Sequence, residues 1–342
     1  MFEGKRVLIT GGTGSLGRAI TKRLLNFEVE SIRIFSRNEK NQVIMQEEFN
    51  DDSRLRFFIG DVRDKERLLR AMEGVDIVFH TAALKHVPKI EYNPFEAIQT
   101  NVMGSQNVID CCHKEGVDMV IGVGTDKAVS PLNVYGATKL LMEKLFTSAG
   151  NYVDKQKHPT RFISTRYGNV LGSSGSVVPK FINQIRTKGK ITITDPAMTR
   201  FTILMDEALD FIFNSIKIGK SSEIFIPKLS AYNIMDLKDA LIELFGTVEI
   251  EYRSIRHGEK LHEVLINADE IRNTLENKDH YIVTDPQISE KQISEMFPDY
   301  KNVTNMEDYS SNNVKKLSKN ELKELINKAN LIPDKNEFKN LN

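Results

Sequence analysis

At 342 residues the chain is long enough for one large α/β domain or two smaller ones. Its 47 basic and 47 acidic side chains cancel, so no overall field draws it to nucleic acid or an anionic membrane surface. The first apolar run, Val7-Leu8-Ile9-Thr10, is too short for a signal peptide, and nothing later approaches the roughly 18 apolar residues of a membrane span. A cytoplasmic protein without membrane insertion is expected. Its only cysteines, Cys111 and Cys112, are adjacent, where a mutual disulfide would be strained, so both are read as packing residues.

In chain order, short β-branched runs alternate with amphipathic segments. Arg6 to Thr10, Ser31 to Phe35, Leu55 to Ile59, Asp76 to His80, Asp118 to Val123 and Arg161 to Thr165 read as strands. Leu16 to Leu25, Lys65 to Met72 and Ala97 to Cys112 read as helices between them. This alternation predicts an α/β fold with a doubly wound parallel (Rossmann) sheet over residues 1–167. After Tyr167 the loops lengthen, with a helix near Val178 to Thr187 and a strand at Ile191 to Thr194. A smaller C-terminal α/β substrate-binding region is expected over 168–280, interleaved with the main sheet if the strand near Glu223 to Ile226 rejoins it. Residues 281–342 read as a polar tail with one helix, Lys319 to Ala329, opened by Ser318 with Glu321 three residues on.

The first strand runs into Gly11-Gly12-Thr13-Gly14-Ser15-Leu16-Gly17 and then a helix. Glycines at 11, 14 and 17 permit a tight turn, close backbone approach to a pyrophosphate and close helix packing, while the helix N-terminus faces the phosphates. The second strand ends at Arg37 rather than at an acid. Arg37 would pair with a 2′-phosphate and so favours NADP over NAD; the alternative is a solvated surface charge. Asp61 and Val62, after the third strand, suit an adenine contact, or else Asp61 caps a helix.

Two motifs follow the fifth strand. Tyr135 and Lys139 are one helical turn apart, with the spacing that suits removal of a hydroxyl proton beside a nicotinamide. Lys139 would hold the nicotinamide ribose and lower the Tyr135 pKa, and Thr125 would bond the substrate hydroxyl. Asp126 and Lys127 add an acid and a second base, which oxidation alone does not need. Once C4 of a sugar is a ketone, its C5 proton is acidic, and elimination needs a base there and an acid at the departing C6 hydroxyl. Adjacent aspartate and lysine can share that proton; the alternative is a capping or solvated pair.

At these residues the chain resembles the extended short-chain dehydrogenase/reductases, specifically the soluble inverting UDP-N-acetylglucosamine 4,6-dehydratases of pseudaminic-acid and related polysaccharide pathways. The motifs include Gly60-Asp61-Val62-Arg63-Asp64, Ala82-Ala83-Leu84-Lys85-His86-Val87-Pro88, Thr125-Asp126-Lys127-Ala128, Arg166-Tyr167-Gly168-Asn169-Val170, Met198-Thr199-Arg200-Phe201 and Arg256-His257-Gly258-Glu259-Lys260, between about Phe2 and Ile266. The resemblance implies a lyase with tightly bound NADP regenerated at each turnover. Tyr135 would take the 4-hydroxyl proton, Lys127 the C5 proton, and Asp126 would release water from C6. Ala82 would line the cofactor site, and Lys85, Val123, Gly124, Asn169, Arg200, Arg256 and Glu259 would contact the UDP-sugar. Tyr309-Ser310-Ser311-Asn312 resembles a segment that folds back over the substrate. A homo-oligomer, dimer or hexamer, and no metal are implied. UDP-hexose 4-epimerases share the glycine turn and the Tyr-Lys motif but generally lack the Asp-Lys pair.

Overall fold

The computed structural model describes residues 1–151, 159–173, 175–256 and 258–332. His257 of the Arg256 motif and residues 333–342 of the expected tail lie outside them.

The six expected strands form: β1 (Arg6–Thr10), β2 (Ser31–Ser36), β3 (Leu55–Ile59), β4 (Ile77–His80), β5 (Met119–Val123) and β6 (Arg161–Thr165). They pair in parallel in the order β3-β2-β1-β4-β5-β6. Helices on both faces bury them, which is why β1 and β4 read as nearly continuous apolar runs. The strand order reverses between β1 and β4, and this opens a crevice at their carboxyl ends. The glycine turn, the Lys85 loop and the Asp126-Lys127 loop all leave the sheet at that edge.

The strand near Glu223 does rejoin the sheet: Ile224–Pro227 lies parallel to β6. The sheet then continues past the expected boundary at residue 280. His280–Val283 adds antiparallel to Ile224–Pro227, Thr274–Glu276 to His280–Val283, and Lys301–Asn302 to Thr274–Glu276. Ten strands result among the described residues. The region after 280 is therefore not a tail, because Ile282 and Phe297 are needed in the same core as Val7 and Ile163. The smaller lobe is assembled from separated pieces instead. Helices Val177–Lys188, Ile234–Phe245 and Lys319–Lys328 share one apolar core with the strand pair Lys190–Ile193 and Glu249–Tyr252. The last helix begins as its sequence predicts: Ser318 and Glu321 form a reciprocal capping box.

The segment expected as one helix from Ala97 to Cys112 is interrupted. A π-helical turn at Ile98–Met103 separates Pro94–Ala97 from Gly104–Glu115. It carries the buried Asn101, whose amide bonds both the N–H and the C=O of Leu84, at 2.8 and 2.9 Å, and the Thr138 hydroxyl at 3.0 Å. One side chain thus ties the Lys85 loop to the helix that carries Tyr135. Cys111 and Cys112 are buried in the adjoining core, as expected of packing residues.

Arg166, fully buried at the end of β6, joins three parts of the chain. It forms paired hydrogen bonds to Glu143 on helix Val134–Ser148, two bonds of 2.9 Å to Glu270, and one of 2.7 Å to the Leu265 carbonyl. Burial alone would oppose its charge, but the two carboxylates outweigh that and raise its pKa. Arg166→Met would strand the buried Glu143. It is expected to cost about 3–5 kcal/mol, read as a lower urea midpoint, and to release the 264–270 segment to proteolysis.

Candidate active site

Two chambers meet at the crevice. The first, of about 580 Å3, is lined by Gly11, Thr13, Gly14, Ser15, Leu16 and Gly17, and further by Ala82, Val123, Gly124, Thr125, Tyr135 and Lys139. Val123 and Gly124, expected at the substrate, thus line this chamber. The second, of about 670 Å3, is lined by Arg200, Arg256, Glu259, Lys180 and Glu263. Lys85, Lys127 and Asn169 line both, so they stand at the junction.

The first chamber fits an extended dinucleotide. Gly11 has φ +69°, and a Cβ there would come within 2.8 Å of the Ala82 backbone, so the turn can approach neither β4 nor a ligand with any other residue. Helix Ser15–Leu24 has no side-chain cap, which leaves its N-terminus directed at the chamber. The N–H of Gly11 bonds the Phe35 carbonyl at 2.8 Å, which brings the end of β2 and Arg37 beside the turn.

Arg37 is more than half exposed and lies 3.9 Å from Asp61. Asp61 does not cap the following helix; Asp64 does, accepting from the Arg67 N–H. Burial would raise the Asp61 pKa, but hydrogen bonds from Arg63 outweigh it and hold the carboxylate ionised. Val62 is buried in the core, so only its backbone is left for a ligand. Arg37, Asp61 and Val62 are outside the lining of both chambers.

The catalytic candidates are assembled where Gly136 lets the Tyr135 helix press on the preceding loop: a Cβ at Gly136 would lie 2.2 Å from the Lys127 carbonyl. Asn133 caps that helix, accepting from the Gly136 N–H at 2.8 Å. Asp126 is buried. Its Oδ1 accepts from Thr125 Oγ1 at 2.9 Å and from Lys127 Nζ at 3.0 Å, while Oδ2 is buried without a hydrogen-bond partner. Lys127 Nζ also lies 3.4 Å from Glu263. Burial opposes the Lys127 charge, but Asp126 and Glu263 outweigh it and its pKa rises; burial likewise raises that of Asp126, against the pull of Lys127. Thr125, expected to bond substrate, is engaged with Asp126 and with Tyr135.

One expectation changes. Lys139 is not among the groups that lower the Tyr135 pKa. Its ammonium is buried against the Val123 carbonyl at 2.6 Å, and burial lowers its own pKa to about 7. Desolvation raises the Tyr135 pKa, and Lys127 is the cation that opposes this. Arg200, expected at the substrate, lines the second chamber and donates to the carbonyls of Thr199, Leu261 and Lys260, 3.7 Å from Glu263. It stitches strand Thr199–Ile203 to the segment that brings in Glu263. Arg256 is exposed at the second chamber, and the Glu259 carboxylate folds back to its backbone N–H. Asn169 bonds Tyr232 between the chambers.

The chain from residue 7 to 285 matches a family described as polysaccharide biosynthesis protein. The chain belongs to that family. It is 45% identical, over 96% of its length and 98% of the relative's, to a UDP-N-acetylglucosamine 4,6-dehydratase (inverting) of Campylobacter jejuni. It is 41% identical, over 99% and 100%, to a protein of Rickettsia felis named UDP-glucose 4-epimerase. The X-ray structure of Pen from Bacillus thuringiensis superposes with a TM-score of 0.88 at 41% identity, covering 97% of this chain and 99% of that one. The family member is an enzyme, with the short-chain dehydrogenase/reductase type of fold. No helix among the described residues is long and apolar enough to cross a membrane.

Sequence reasoning missed Glu263, Arg166 and Asn101. The signal for Glu263 was an acid entering an apolar run, Val264-Leu265-Ile266. Its significance depends on a contact across 136 positions, from Lys127 to Glu263.

Lys139 generates a prediction about stability. Because its folded pKa is depressed, the unfolded chain binds more protons between about pH 7 and the ordinary value of 10.5. The penalty for burying this amine is thus greatest below pH 7 and fades as pH rises. Lys139→Met is expected to raise cofactor-free stability at pH 7, with the advantage over wild type shrinking by pH 9 in paired denaturant titrations.

Proposed function

We propose that the enzyme catalyses the NADP-dependent 4,6-dehydration of UDP-N-acetylglucosamine with inversion at C5. The product would be a UDP-2-acetamido-2,6-dideoxy-4-keto-hexose for surface-glycan synthesis, in a pathway of the pseudaminic-acid type. The observation that carries this reading is the 3.0 Å contact between Lys127, which lines both chambers, and the buried Asp126. The inverting dehydratase from Campylobacter jejuni supports it.

A nicotinamide dinucleotide held along the glycine turn, with Tyr135 and Lys139 beside it, would supply the reversible hydride chemistry that oxidation at C4 and reduction at C6 require. The chain's own residues handle the protons. Tyr135 accepts the 4-hydroxyl proton, with its phenolate favoured by Lys127. With Asp126 ionised and Lys127 protonated, passage of one proton across their 3.0 Å contact gives a carboxylic acid and a free amine. The amine takes the C5 proton, and the acid protonates the C6 hydroxyl as it leaves as water. Asp126 is again ionised and Lys127 again protonated, so the pair is restored at the end of the elimination; a proton delivered to C5 from the face opposite the one it left, as C6 is reduced, would complete the reaction and invert that centre.

Lys85 and Arg256 suit the diphosphate, Glu259 the uridine ribose, and Asn169 the sugar. Arg37 would meet the 2′-phosphate of NADP. A cytoplasmic homo-oligomer, dimer or hexamer, completes the reading. Exposed Tyr92, Phe95, Met103 and Leu141, on and beside the helices flanking the π turn, offer apolar surface for a second copy.

The second reading is a UDP-hexose or UDP-N-acetylhexosamine 4-epimerase using NAD(P), favoured by the Rickettsia relative. It leaves Asp126 and Lys127 without a chemical task.

Incubation with UDP-N-acetylglucosamine in heavy water should give a product lighter by one water and labelled at C5; a product of unchanged mass supports epimerisation instead. Lys127→Met should abolish dehydration while leaving cofactor binding within about threefold. Arg37→Asp is expected to raise the Kd for NADP at least about tenfold and leave that for NAD nearly unchanged; equal losses for both would show that Arg37 does not read the 2′-phosphate.

A further inference from the structure

We propose that Glu263 is a positioning residue that orients the Asp126–Lys127 pair and sets the pH range over which that pair carries one shared proton. The inference rests on the dehydratase reading and assigns to that site a group no motif had marked.

Glu263 reaches the site from the far side of the fold. It ends the segment that leads into strand Val264–Ile266, and its backbone N–H donates to Ser311 Oγ at 2.9 Å. Ser311 also bonds the Thr199 hydroxyl at 2.7 Å. The segment around Tyr309 thus braces the acid from behind rather than covering the chamber. Arg200, held by three backbone carbonyls, fixes the carboxylate from one side, with its Nε 3.7 Å from Oε1. The same Oε1 lies 3.4 Å from Lys127 Nζ. Oε2 is buried without a hydrogen-bond partner, on a side chain that lines the second chamber.

This is a poor arrangement for stability alone. An acid kept only as a cross-link would satisfy both oxygens, since an unpaired buried carboxylate oxygen is costly. Here the negative charge is set against the amine that must gain and lose a proton. The charged and titratable groups facing Lys127 are Asp126, Glu263, Arg200, Tyr135 and Tyr232, with Lys260 beyond Glu263. Among them only Asp126 and Glu263 are acids that pair with its Nζ.

The sign follows from charge. The Glu263 carboxylate repels ionisation of Asp126 and attracts the proton of Lys127, so it displaces both titrations upward. The productive state, one proton shared by the pair, is bounded by Asp126 on the acid side and by Lys127 on the alkaline side. Glu263 therefore moves both bounds of the window to higher pH. It also raises the basicity of Lys127 toward the C5 proton.

The test is the pH profile of kcat for dehydration of UDP-N-acetylglucosamine by Glu263→Gln. Both limbs should move to lower pH by about one unit or more, kcat at the wild-type optimum should fall roughly tenfold, and KM should stay within about threefold. Glu263→Asp, which keeps the charge but withdraws it by one methylene, should fall between the two profiles and serves alone if the glutamine variant does not fold. Limbs that stay in place in the glutamine variant overturn the proposal, as does an aspartate variant superimposing on wild type in both rate and pH. A wild-type protein that leaves the sugar nucleotide intact defeats the dehydratase reading instead. The inference is then judged by NMR titration of 15N-labelled Lys127, whose pKa must fall in either variant.

Discussion

The buried ion pair network around Arg166 is the constraint on which the rest of the site depends. Its guanidinium sits at the end of β6, grips Glu143 one turn beyond Lys139 and holds Glu270 and the Leu265 carbonyl just past Glu263. A fully buried cation of this kind is tolerable only because each partner is itself held, and removal of any one leaves a charge without compensation. That makes the network a poor source of net stability but a strict source of register. It fixes the helix bearing Tyr135 against the sheet end and against the late segment that delivers Glu263.

Built on this frame, the candidate site sets opposite charges against one another. Asp126, Lys127, Glu263 and Arg200 alternate in sign, and one carboxylate oxygen of Asp126 and one of Glu263 are buried without a hydrogen-bond partner. Buried polar groups left partly unsatisfied are where a protein stores the capacity to move a proton. The Lys139 amine is likewise buried, donating to the Val123 carbonyl at 2.6 Å, and burial depresses its pKa. The sheet alone would not distinguish a dehydratase from an epimerase, since relatives carrying both names share it.

The sequence by itself determined the parallel sheet, the glycine turn, the Asp126-Lys127 and Tyr135-Lys139 motifs and the capped late helix. Each is a local pattern: alternation of strand and helix, a positive-φ turn that needs glycine at Gly11, residues one helical turn apart, or a serine and glutamate spaced to cap. What only the tertiary structure decided is everything that depends on contacts distant in sequence. The expected tail became strands of the main sheet because their apolar faces complete a core begun at β1. Arg200, which lines the second chamber, is also a stitch because three carbonyls from two segments converge on it. Glu263 joined Lys127 across the fold, and no spacing rule links them. Local sequence sets which groups are available and which way a helix or strand presents them; the desolvation and the opposite charges that decide their protonation come from chain packed around them, and that exists only once the fold has closed.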